Sequence, residues 1–159
     1  MSHSAMHSPL AFTGTRPLRR IYQSLDWLIP VADLASRLWV ANAFLKSGLS
    51  KIQNFDSTIQ LFTYEYQVPL LPPELAAYLG TATELSFPLL VALGLLCRPS
   101  AAVLFVFNLI AVTSYPAISL FTAIDHQAWA LLLLLTVAHG PGRLSLDYLF
   151  SRRWSNWPV

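Results

Sequence analysis

The stretch Arg37-Leu-Trp-Val-Ala-Asn-Ala-Phe-Leu-Lys46-Ser-Gly-Leu-Ser-Lys51 decides the fold. It has the apolar content of a membrane span, yet it holds two full charges and ends on a third. A charge at mid-membrane costs about 2.5–3.5 kcal/mol on insertion scales, so one that is present marks a candidate functional site. Glu84 is the acidic residue that lies comparably deep inside another apolar run.

Composition supports the membrane reading. The 159 residues are 55% hydrophobic and 11% charged, with a mean hydropathy of +0.51. A soluble domain carries about 25% charged residues, and one of this length has too little surface charge here to hide its apolar content. The net charge of +2 raises nucleic acid as a partner, but the basic residues sit in short clusters between apolar runs and form no single patch, so nucleic acid is not expected. The single cysteine, Cys97, rules out a disulfide or a cysteine pair within the chain. Five Trp and six Tyr suit interfacial belts.

Residues 1–30 are polar and then basic, with Arg16, Arg19 and Arg20. The first thirteen read as disordered. Ile21–Leu28 reads equally as a surface amphipathic helix or a linker, and no secretory signal is expected here. The first span is expected after Pro30, over about 31–50; twenty residues rise about 30 Å, the thickness of a hydrocarbon core. Asp56 or Ser57 is placed to cap a short helix through Tyr66, with Ile59, Phe62 and Tyr66 on one face at the outer interface. Further spans are expected at about 74–97, 100–115 and 126–140. Pro88 lies inside the second, Arg98-Pro99 reads as a tight turn, and Asp125 and His126 precede the fourth. A short amphipathic segment, Leu144–Phe150, and a tail over 151–159 follow. The fold class is therefore all-α: an integral membrane four-helix bundle of up-down topology over 31–150.

The positive-inside rule orients it. Arg16, Arg19, Arg20, Arg98, Arg143, Arg152 and Arg153 fall on one side, and on the other Lys51, at most with Lys46, is set against Asp56, Glu65, Glu74 and Asp125. Both termini are expected in the cytoplasm, with the bacterial inner membrane as the location.

Helix rise gives depths. From Val31, Arg37 lies about 9 Å in, Lys46 about 22 Å and Lys51 about 30 Å, while Glu84 lies about 20 Å above the end of its span. Lys46 is thus the depth-matched partner for Glu84. Arg37 and Lys46 fall on opposite faces, whereas Lys51 falls within about 40° of Arg37's face. Arg37 either snorkels or pairs with a backbone carbonyl. A Lys46–Glu84 pair either locks two helices together or serves an anionic or quinone-like ligand or a proton-coupled step. His126 and His139 are about 20 Å apart along one helix, too far to share a metal, and no metal-spacing motif is present. Asn108, Thr113 and Ser114 offer hydrogen bonds between helices. Gly48, Gly80 and Gly94 permit close helix contact.

The ordered set of these residues resembles the DoxX family over roughly 33–150. It includes Arg37-Leu, Phe44-Leu-Lys-Ser-Gly-Leu-Ser-Lys51-Ile, Val68-Pro69, Glu84-Leu and Gly94-Leu-Leu-Cys-Arg98. It ends with the histidine of the last span and Gly140-Pro-Gly-Arg-Leu-Ser-Leu-Asp147. The run from Phe62 to Glu74 and Ser114-Tyr-Pro116 are similar to a branch encoded beside enzymes that modify copper-binding peptides. The resemblance implies membrane-associated redox or sulfur chemistry with partner proteins. It marks Arg37, Lys46, Lys51, Glu84, Arg98 and His126 as site or structural positions without assigned catalytic roles. An accessory subunit of a redox, metal-stress or peptide-maturation system ranks first. A quinone-linked oxidoreductase subunit ranks second and a small peptide or anion transporter third. The cofactor is unknown, with quinone an option; a homo-oligomer is an open alternative.

Overall fold

The computed structural model describes residues 27–153. The expectations for residues 1–26 and 154–159, including the three N-terminal arginines, lie outside the described residues. Among those described, the chain is all-helical, with α1 (Leu28–Gln53), α2 (Phe55–Tyr64), α3 (Pro73–Leu93), α4 (Cys97–Ser114), α5 (Leu120–His139) and α6 (Leu146–Arg153). Helices α1, α3, α4 and α5 are long and apolar enough to cross a membrane, which places the chain in a lipid bilayer.

The four long helices alternate in direction and close into a ring: α1 packs on α3, α3 on α4, α4 on α5, and α5 back on α1. Val40, Phe44, Val91, Ala101, Leu104 and Leu133 fill the axis. Trp39, Leu79, Val106 and Leu131 stand exposed on the outside, as lipid-facing residues do. Helix α2 lies across the end where α1 meets α3, and Phe62, Ala76 and Ala77 bury their contact.

Several boundaries differ from the sequence reading. Helix α1 starts at Leu28 and carries Pro30 in its first turn, where a missing N–H costs nothing. The cap of α2 is Asn54, whose side-chain oxygen accepts from Ser57 N at 3.1 Å, and the helix stops at Tyr64. The expected turn at Arg98-Pro99 is the first turn of α4; the reversal falls on Gly94 (φ +65°) and Leu96 (φ +44°) just before it. Ser119 caps α5 by accepting from Thr122 N, which puts Asp125 and His126 inside the last long helix rather than ahead of it.

Candidate functional site

Glu84 sits on the inner face of α3 and is 6% exposed. Its carboxylate accepts from Lys51 Nζ at 2.6 and 2.9 Å and from Ser47 Oγ at 3.1 Å. Lys51 Nζ also reaches Ser47 Oγ at 2.7 Å. Ser47 and Lys51 are one helical turn apart and so share a face, together with Gly48. An added Cβ at Gly48 would lie 3.0 Å from Glu84 Cβ and 3.1 Å from its backbone carbon, so the missing side chain brings α1 against α3 at the site. Pro88 has no N–H to return to the Glu84 carbonyl, so the α3 ladder is interrupted there as well.

The expected partner, Lys46, is exposed and points away. Five residues turn a helix by about 140° beyond a full revolution and advance it only about 7.5 Å. A flexible lysine stem closes that axial gap, whereas it cannot swing round the helix. The facing direction therefore overrules the depth match, and Lys51 takes the carboxylate.

Above the Lys51–Glu84 pair lies a cavity of about 180 Å³, walled mainly by apolar and aromatic side chains, including Phe62, Tyr66, Leu71, Phe107 and Ile110. Its polar lining comes from Lys51, Glu84, Tyr66, Thr83 and Ser114. Ser114 is 1% exposed, and its hydroxyl has no hydrogen-bond partner. Its carbonyl accepts from Gln67 N at 2.7 Å, which fastens the 65–72 strap over the cavity. Tyr66 stacks between Phe62 and Tyr115, and the Tyr115 hydroxyl donates to Glu65 Oε2 at 3.0 Å. Burial, with the Glu84 carboxylate adding to it, pushes the Tyr66 hydroxyl above the ordinary phenol value. Tyr66 therefore stays a neutral donor over the physiological range.

Arg37 belongs to a different cluster, near the α6 end. It is 1% exposed and takes the carbonyl option: Nη1 donates to Val91 O at 3.1 Å and Ala92 O at 3.2 Å, and Nη2 to Leu144 O at 2.5 Å. Two of these carbonyls end α3, so the guanidinium lies at the negative pole of that helix. Asp147 on α6 accepts from Leu96 N at 2.9 Å and Cys97 N at 2.8 Å, capping α4 from fifty residues away. His126 is elsewhere again. Its Nδ1 lies 2.7 Å from Asn108 Oδ1, an oxygen that only accepts, so Nδ1 carries the proton. Asn108 Nδ2 in turn donates to the His126 carbonyl at 3.0 Å.

The five sequence candidates thus divide. Lys51 and Glu84 form the candidate site, Arg37 and His126 occupy two separate polar contacts, and Lys46 joins none of the three. Of the expected helix-to-helix donors, Asn108 bridges α4 to α5, whereas Thr113 bonds within its own helix. Ser47 and Tyr66 join the candidate site, and the sequence reading left them out of it. Their spacing from Lys51 and their place in the aromatic strap were the available signals. Among the described residues no group of three His, Cys, Asp or Glu is placed to hold a metal.

Residues 32–123 match the family described as DoxX. The chain is also similar to an uncharacterized protein of Haemophilus influenzae, 31% identical over 129 residues that cover 77% of this chain and 85% of that protein. No solved structure matches.

Proposed function

The chain belongs to the DoxX family, and from that premise we propose that it is a membrane subunit of a redox system that holds a quinone-like ring in the cavity above Lys51 and Glu84. The observation that carries this reading is the buried Ser114 hydroxyl, unpartnered in the cavity wall. A buried hydroxyl without a partner forfeits about 1–3 kcal/mol, and a ligand oxygen placed there recovers it. The size supports one ring: an apolar cavity of about 150 Å³ admits benzene. Phe62, Tyr66 and Phe107 offer ring faces, and the Tyr66 hydroxyl and Ser114 Oγ offer donors to carbonyl oxygens. Such a ring supplies reversible two-electron chemistry when bound. The chain itself orients it, keeps water out with the 65–72 strap, and keeps a carboxylate and an ammonium beside it.

In this reading partner proteins supply the substrate and the electrons. The excess of arginine at the α6 end supports placing that end, and both termini, in the cytoplasm. The filled axis between the site and Arg37 weighs against transport. A link to copper-peptide modification rests on the run from Phe62 to Glu74, part of which lines the cavity.

The test is equilibrium binding of a short-chain quinone to the purified protein. Binding in the micromolar range that weakens about fivefold in Ser114→Ala, the worth of one hydrogen bond of about 1 kcal/mol, supports the proposal. Absence of binding, or equal binding by the variant, refutes it.

A further inference from the structure

The end of the bundle opposite the Lys51–Glu84 site carries its own cavity, of about 330 Å³, lined by Arg98, His139, Pro141, Gly142, Arg143 and Tyr148. The three basic side chains come from different elements: Arg98 from the first turn of α4, His139 from the last turn of α5, and Arg143 from the loop before α6. The Arg98 guanidinium lies over the Gly140 backbone, where an added Cβ would be 3.2 Å from Nε and Nη2, and Nη2 donates to the His139 carbonyl at 3.4 Å. Arg152 stands 6.0 Å from the centroid of the Tyr148 ring and brings a further positive charge to the rim.

No carboxylate lines this cavity among the described residues. Of the two described at this end, Asp147 is turned to the Leu96 and Cys97 amides. Asp33 packs against Gly142 and shares the adjoining cleft with His139 and Arg143, on the α1 side and outside the lining of this cavity. Arginines pair with phosphate in a two-pronged geometry, and a basic pocket between spans at the membrane surface suits a lipid headgroup. The surroundings are those of a lipid: Leu93, Leu96, Leu144 and Leu149 are exposed at the same end, and Tyr148 presents both a ring and a hydroxyl, as interfacial tyrosines do.

We infer that Arg98, Arg143 and His139 form a binding site for the phosphate of an anionic phospholipid. The site is independent of the ring-binding cavity. The headgroup takes the two guanidinium groups, its acyl chains run along the exposed leucines, and the occupied site ties the start of α4, the end of α5 and α6 together.

The test uses the full chain purified in a zwitterionic detergent. Retained lipid is counted by native mass spectrometry, and the melting temperature is read with added phosphatidylglycerol, phosphatidylcholine or inorganic phosphate. Phosphatidylglycerol is expected to be retained and to raise the melting temperature, with phosphatidylcholine doing neither. Arg98→Gln/Arg143→Gln should lower its retention about thirtyfold, each basic residue near a membrane surface being worth about 1 kcal/mol. Lys46→Gln, which removes an exposed cation far along α1, should leave retention unchanged. Equal retention of both lipids, undiminished retention in the double arginine variant, or an equal loss in Lys46→Gln would overturn the inference. So would stabilisation by inorganic phosphate matching that by the lipid, since the site would then take a free anion. If the double arginine variant does not fold, the comparison of the two lipids on the unaltered chain decides.

Discussion

Lys46 and Lys51 lie on one helix, and only the second reaches Glu84, because the direction a side chain faces is fixed by the backbone while its reach along the axis is elastic. The residue types of the candidate site were legible in the sequence, since charges inside apolar runs are few and conspicuous. The pairing was not, since depth is read from residue numbers whereas facing depends on which side of α1 meets α3. Gly48 held that information: the side of α1 that carries it, with Ser47 and Lys51, is the side that touches Glu84. Lys46→Met is accordingly expected to leave both ligand binding and thermal stability within error. Lys51→Met leaves a buried carboxylate without its cation and should destabilise by about 3–5 kcal/mol. Replacing both, as Lys51→Met with Glu84→Leu, should restore most of that stability and still abolish ligand binding. Thermal melts and binding isotherms on the three variants separate these outcomes. Ser114→Ala carries a distinctive signature, because its hydroxyl has no partner in the free protein: stability should hold or rise slightly while ligand affinity falls.

The elements at the α6 end are joined by contacts that no local pattern announces. Helix α4 begins after Leu95-Leu96, neither of which has a side chain able to cap, and that deficiency was the signal that a cap had to come from elsewhere. Asp147 provides it from α6. Gly94 lets this happen: its φ of +65° suits glycine, and an added Cβ would meet Ser145 and the Arg37 guanidinium. Asp147→Ala is expected to cost about 1–2 kcal/mol, the range for a helix cap, and to raise amide exchange first in residues 94–100. Gly94→Ala should be worse, since it combines backbone strain with that collision. At the opposite end the 65–72 strap is held by Gln67 N on the Ser114 carbonyl and by Tyr115 on Glu65. Donation to Glu65 holds the Tyr115 proton above the ordinary phenol value. The strap is therefore fully pinned below that ordinary value and loosens as pH rises through the raised one. Tyr115→Phe should lose the pin at every pH, seen as faster exchange at residues 65–72 in the variant and as removal of the alkaline step.

For the whole molecule, four spans and their alternating directions followed from hydropathy, because a bilayer tolerates so few alternatives. The helix limits did not, because prolines at the first turns of α1, α3 and α4 mark starts only to within a few residues. The bundle divides into two chemically distinct ends joined by a filled axis. One holds an ion pair beneath a ring-sized cavity, and the other a knot of backbone acceptors, a remote cap and a basic surface. If the arginine-rich end is cytoplasmic, a membrane-impermeant thiol reagent should label a cysteine placed at Arg143 only after the cells are opened, and one placed at Leu70 in intact cells. The claim on which the functional account rests is that the cavity above Lys51 and Glu84 takes a quinone-like ring. Its most direct test is photolabelling of the purified protein with a photoreactive short-chain quinone, followed by peptide mapping. The account predicts label within residues 62–71 and 107–114, competed by unlabelled quinone and lost in Lys51→Met/Glu84→Leu. Label confined to the lipid-facing sides of α1 and α5, or unaffected by competitor, would contradict it.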